Sequence, residues 1–200
     1  MSTVVADQST HSTLEQAVRP LTAADLAAMP EELPSGPVDF ELENGRFVLM
    51  SPTGRRHGNL QSRIARALID QGDDHGHGET LSETGIILSR NPDSVAGPDV
   101  MFVSKRSMPI RESSEGYLET IPELIVEIRS KNDTSGHLNR KTAAYLRAGA
   151  ELVWIVDPSA ETISEHRQQV PEKIYRHGDI LHCDDIIPDF RLPLVELFGK

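Results

Sequence analysis

The chain has 200 residues, 38% hydrophobic and 26% charged, an ordinary balance for one globular domain with a sizeable core. Its 31 acidic residues outnumber 20 basic ones, and the net charge of −11 argues against uniform, nonspecific binding to polyphosphate. No run is long and apolar enough to span a membrane, and a single cysteine, Cys183, excludes an intramolecular disulfide framework and fits a reducing compartment, so a cytoplasmic setting is expected.

Residues 1–20 are polar, without a basic start or a long apolar run, and read as a flexible tail, leaving 21–200 as one domain. Thr22 is placed to cap a short helix from Ala23 to Met29, closed by Pro30, and "EELPSGP" reads as a loop. Asn44-Gly45 lies between two short extended runs in "VDFELENGRFVLMSP", the strongest short hairpin signal. From Arg56 to Gln71, Leu60, Ile64, Ala67 and Leu68 fall on one helical stripe, which the Gly72–Gly78 segment ends.

Extended runs follow at Glu79–Leu88 and Pro98–Val103, with "SRNPDSVAG" as the turn between them and a variable loop from Ser104 to Tyr117. "ELIVEIRS" is the next strand. Thr134 or Ser135 can then cap a helix reaching Ala148, with Gly149 as its terminator and "ELVWIVD" directly after it. A strand, helix, strand succession favours a right-handed crossover and a partly parallel sheet. "ETISEHR", "EKIYRHGD" and "FRLPLVELF" offer short antiparallel strands and a last turn of helix.

The strand "ELIVEIRS" carries an anomaly, a carboxylate among Leu124, Ile125, Val126 and Ile128. Glu127 and Arg129 share one pleat face with Ile125, and a buried carboxylate is costly unless it is paired, hydrogen-bonded or bound to a metal. In the helix that follows, Leu138, Lys141, Thr142, Tyr145 and Leu146 share one face, which turns Lys141 toward the sheet. A lone lysine there commonly snorkels past the core edge. Asp99 enters the apolar strand of "GPDVMFVS" just after Pro98, where an aspartate is often only a turn residue. Together Asp99, Glu127 and Lys141 would supply two hard oxygen ligands and one cation, a set suited to magnesium with water and a substrate phosphate oxygen.

"FELENGRFVLMSPTGRRHG", "GPDVMFVS", "PELIVEIRS" and "RKTAAYLRAGAELVWIVDP", in that order and spacing from about Leu21 to Asp189, resemble the Uma-two family of restriction-endonuclease-like proteins, within the PD-(D/E)XK nuclease superfamily. The resemblance implies an α/β (α+β) restriction-endonuclease-like core, a mixed β-sheet flanked by helices, with an N-terminal β-hairpin. It also implies that Asp99 is the aspartate of the "PD" element and Glu127 the acid of the next strand, both binding a divalent cation, magnesium or manganese. The superfamily's strand lysine is replaced here by Arg129, which can stabilise phosphate but is a poor proton acceptor. Lys141 is similar to a lysine relocated to the adjoining helix.

His57, in "RRHGN", also sits at a position that resembles the family, and could bind phosphate or assist proton transfer, or merely pack at the helix start. Of the hairpin acids Glu41 and Glu43, Glu41 matches the family better, although an exposed strand acid is the simpler expectation for both. Tyr145 is expected to pack beside Lys141, where its hydroxyl could support the site. The histidines of "DDHGHG" are a weak metal signal in a polar, glycine-rich turn, and Asp157 reads as a strand-ending turn residue. Arg55 to Arg66 holds four arginines and no acid, and Arg129 to Arg147 five basic residues and only Asp133, so a basic face is possible despite the acidic total.

Two functions follow. One is a magnesium-dependent endonuclease hydrolysing phosphodiester bonds of DNA, with Lys141 positioning the attacking water; paired cuts in a duplex would call for a homodimer, which no residue pattern establishes. The other is a noncatalytic nucleic-acid or protein interaction module on the same scaffold, with Glu127 paired structurally to Arg129 or Lys141.

Overall fold

The computed structural model describes residues 19–30, 32–33, 36–37 and 39–199, so the expected tail lies almost wholly outside the described residues. Helix α1 (Ala23–Ala27) starts as expected at Thr22, which accepts from the Asp25 amide while Asp25 reaches back to the Thr22 amide, a reciprocal capping box. The "EELPSGP" segment is more ordered than a loop. Its described parts form the two-residue strands β1 (Glu32–Leu33) and β2 (Gly36–Pro37), paired antiparallel. Strands β3 (Asp39–Glu43) and β4 (Arg46–Met50) make the hairpin, and Asn44 and Gly45 at its tip both have positive φ, 49° and 73°. That is the backbone a two-residue primed turn needs.

Helix α2 (Arg55–Leu68) runs on through a π turn at Ile69–Asp73. The extended run at 79–88 is two strands rather than one, because β5 (Gly78–Leu81) and β6 (Ile86–Ser89) join different sheets. The expected turn "SRNPDSVAG" is shorter than the sequence suggests, since β7 (Ser94–Ala96) pairs with β6 and with β3 and buries Val95 and Ala96. Three residues are too few to show a pleat period. Strand β8 (Val100–Ser104) follows, then a loop that carries a short 3₁₀ turn at Lys105–Ser107.

Strand β9 (Leu124–Ile128) and strand β10 (Leu152–Asp157) pair in parallel across helix α3 (Ser135–Ala148), which Thr134 caps and Gly149 ends at φ 122°. Strands β11 (Thr162–Arg167), β12 (Val170–Tyr175), β13 (Ile180–Leu181) and β14 (Leu192–Pro193) and helix α4 (Leu194–Phe198) complete the chain. The main sheet is mixed, in the order β12-β11-β10-β9-β8-β5 with β9/β10 its parallel pair, and a second, antiparallel sheet runs β4-β3-β7-β6.

Both faces of the main sheet are covered, which explains why β8, β9 and β10 are almost continuously apolar. Leu124, Val126, Ile128, Trp154 and Val156 pack with Leu60, Ile64 and Leu68 of α2. On the opposite face Ile125, Val153 and Ile155 pack with Leu138 and Tyr145 of α3. The period-2 alternation therefore sends Glu127, with Ile125, toward α3. No helix of the described residues is long and apolar enough to cross a membrane.

The passage from the π turn into β5 depends on a missing side chain: a Cβ on Gly78 would lie 2.2 Å from the Val103 carbonyl oxygen and 2.6 Å from the Phe102 ring. Gly78→Ala is therefore expected to destabilise the fold by about 2 kcal/mol or more, read as a lowered midpoint in urea denaturation.

Candidate active site

The site forms where α3 and the second sheet meet the main sheet at β9. Glu127 is the fourth of the five residues of β9 and is only 7% exposed. Its Oε1 accepts both from the Lys141 ammonium, at 2.8 Å, and from the Tyr145 hydroxyl in a short hydrogen bond. Lys141 and Tyr145 stand one turn apart on α3, so a single helical face delivers both donors. From the second sheet, Glu41 of β3 approaches the same ammonium at 3.2 Å, while the Gly97 amide donates to it at 3.0 Å. The expectation of an exposed strand acid fails for Glu41, whose side chain is 12% exposed, because α3 lies against that sheet. Glu43 does remain on the outside.

Asp99, just ahead of β8, is held from two sides. Its Oδ2 accepts the Ile128 amide at 2.6 Å and stands 3.3 Å from His57 Nε2. His57 is therefore not a surface group; it is buried at the start of α2, and its Nδ1 has no hydrogen-bond partner among the described residues. One turn along α2, Gln61 Nε2 donates to the Asp99 carbonyl at 3.0 Å and to Glu83 Oε1 at 2.7 Å. Glu83 sits at φ 55°, an uncommon backbone for a residue with a side chain, and its amide donates to the Pro98 carbonyl. His57 and Gln61 thus clamp the Pro98–Asp99 segment from one helix face.

Sequence reasoning missed Gln61 and Glu83. The spacing of Gln61, four residues after His57, could have flagged it; Glu83 carries no local signal, because its position depends on the β5–β6 connection. Arg129 is not brought to Glu127. It lies beyond the end of β9, where its guanidinium pairs with Asp157 at 3.1 Å. Asp157 is also the expected turn residue, accepting the Ser159 and Ala160 amides. In "DDHGHG", Asp73 accepts from Thr80 and the rings of His75 and His77 stack at 6.2 Å, and no set of three His, Cys, Asp or Glu side chains among the described residues forms a metal cage.

The electrostatics reflect several carboxylates gathered in a small, largely buried volume. Burial pushes the Glu127 carboxyl up to about 7, with the pull of Lys141 opposing and the nearby Asp99 charge adding to the rise. Burial disfavours the Lys141 ammonium, but Glu127 and Glu41 outweigh it and hold its pKa above the ordinary lysine value. Burial likewise opposes the His57 imidazolium, and Asp99 overcomes that, raising it. Burial and the Glu127 charge raise the Tyr145 phenol well above its usual range, so it remains a donor. Three carboxylates, Asp99, Glu127 and Glu41, face one permanent cation.

This donor set fits a divalent cation of the magnesium type. Asp99 Oδ1 and Glu127 Oε2 have no hydrogen bonds among the described residues, while the other oxygen of each carboxylate is fixed. Two carboxylate oxygens in a site that retains some solvent access suit magnesium, which keeps several waters and accepts substrate phosphate oxygen instead of a full protein cage.

A solved structure titled as a putative nuclease belonging to DUF820, from Anabaena variabilis ATCC 29413, shares this fold: the TM-score is 0.73 at 16% identity, over 90% of this chain and 98% of that one. No curated protein matches the chain. Residues 24–195 match the Uma2 family, described as "Putative restriction endonuclease", a span that includes both sheets and every residue of the site above. The chain belongs to the Uma2 family.

Proposed function

We propose that the protein is a divalent-metal-dependent endonuclease that hydrolyses phosphodiester bonds of DNA, with Asp99 and Glu127 holding magnesium or manganese. The observation that carries this reading is the pair of half-engaged carboxylates, each with one oxygen fixed and one free, in a cluster with excess negative charge. When bound, the cation would polarise the phosphate and lower the pKa of water. The chain's own residues do the rest. His57 and the Ile128 amide fix the rotamer of Asp99, and Tyr145 and Lys141 fix that of Glu127. Lys141 has three N–H donors, two of them occupied by Glu127 and Glu41, and the third is available to orient water or a phosphate oxygen. Its raised pKa makes it a charge and a donor rather than a general base.

The alternative is a noncatalytic nucleic-acid or protein interaction module. It draws on one observation, that Lys141 and Tyr145 already satisfy one Glu127 oxygen without any ligand.

With magnesium or manganese, Glu127→Gln is expected to lower cleavage of supercoiled, linear or single-stranded DNA at least about a hundredfold, since even outer-shell partners of metal ligands cost up to that much. Lys141→Ala is expected to lose a comparable factor while melting cooperatively. Equal cutting by wild type and both variants would place the activity elsewhere, and no cutting of any substrate would favour the interaction module.

The raised Glu127 carboxyl also sets a pH dependence. A group whose folded pKa lies above its ordinary value, here 4.5, contributes stability below that value and loses it as pH rises through the folded one. Cation-free protein is therefore expected to lose stability from this group as pH rises from the ordinary carboxylate range toward neutrality. Denaturation at pH 5 and pH 8 checks it: magnesium should restore stability at the higher pH, and Glu127→Gln should flatten the slope.

A further inference from the structure

A cleft of about 580 Å³ lies between α3 and the second sheet. Its room comes from small helix residues, Ala144 and Ala148, facing Val48, Leu88 and Ala96. Lys141, Glu41 and Tyr145 form part of its wall, whereas Asp99, Glu127 and His57 do not, so it adjoins the candidate centre without coinciding with it. On a chain of net charge −11 its lining holds three cations, Arg140, Lys141 and Arg147, against Glu41 and Glu43. Lys141 is shared by Glu41 and Glu127, and Arg140 lies 3.9 Å from Glu43. Arg147 has no acidic partner among the described residues, and the Asn139 amide, also on the rim, has no hydrogen bond among them.

An apolar floor with an unpaired guanidinium and an amide at the rim suits a flat heterocycle joined to an anion, and the volume lies in the range of small-ligand sites. We infer that this cleft takes one nucleotide of the nucleic-acid strand, splayed out beside the scissile phosphate. The base lies against Val48, Ala96 and Ala144, the phosphate meets Arg147, and Asn139 is free to bond a base edge. Stacked, paired bases cannot reach such a cleft, and extruding one from a duplex costs free energy that an unpaired strand does not spend. The assignment rests on the phosphodiesterase reading and adds a substrate class to it: single-stranded or frayed DNA ahead of intact duplex.

The test compares wild type with Arg147→Ala, an exposed position, and Ala144→Phe, which fills the cleft, after thermal melts establish which variants fold. The first readout is binding of a 5′-phosphorylated deoxynucleotide without metal, by calorimetry or NMR shifts. The second is cleavage of single-stranded and duplex oligonucleotides of one sequence with magnesium. The expected result is nucleotide binding that weakens about tenfold in each folded variant, and a single-strand preference that both variants reduce through KM, with kcat little changed. Nucleotide that binds Arg147→Ala as tightly as wild type, or binds neither, overturns the assignment even where cleavage persists. Nucleotide binding that the variants weaken, in a protein that cuts nothing, supports the cleft and overturns the phosphodiesterase reading instead.

Discussion

A carboxylate inside a strand covered on both faces is tolerated only where donors meet it, and in this fold the donors, Lys141 and Tyr145, arrive on α3. The Glu127–Lys141 contact constrains everything around it. Lys141 reaches the strand because α3 crosses back over the sheet between the parallel strands β9 and β10, and it is fixed there because Tyr145, one turn on, binds the same oxygen. Glu41 then ties the second sheet to the same ammonium, so two sheets and a helix converge on one point.

One lysine does not neutralise that point. Asp99 stands near enough to raise the Glu127 carboxyl further, and Glu41 takes a share of the ammonium. A protein selected only for stability would do better with apolar side chains of similar volume in place of such a cluster. The arrangement instead leaves one oxygen of Asp99 and one of Glu127 without partners among the described residues while their companions are locked, which is the preorganisation a cation-binding pair needs. His57 and Gln61 extend the same logic outward by clamping the segment that carries Asp99.

The parts of the site set by local periodicity were legible in the sequence. Pleat alternation put Glu127 on one face of its strand with Ile125, and helical spacing put Lys141 and Tyr145 on one inward face. Thr134, Gly149 and Asn44-Gly45 marked their boundaries through backbone chemistry that needs no tertiary context. What depends on distant pairing was not legible. Arg129 follows Glu127 by two residues, yet the parallel register of Val156 with Ile128 brings it to Asp157 instead. Glu41 reads as an exposed strand acid until the second sheet is set against α3, and Glu83 enters only through the β5–β6 connection. Strand β7 reads as part of a turn in the sequence because three residues carry no period.

Crystals soaked in manganese chloride and measured for anomalous scattering would test the central claim most directly. A peak between the Asp99 and Glu127 carboxylates, lost in Glu127→Gln, is the predicted result. Density confined to another position, such as the stacked His75 and His77, or none at a manganese concentration that supports cleavage, would contradict the two-carboxylate centre.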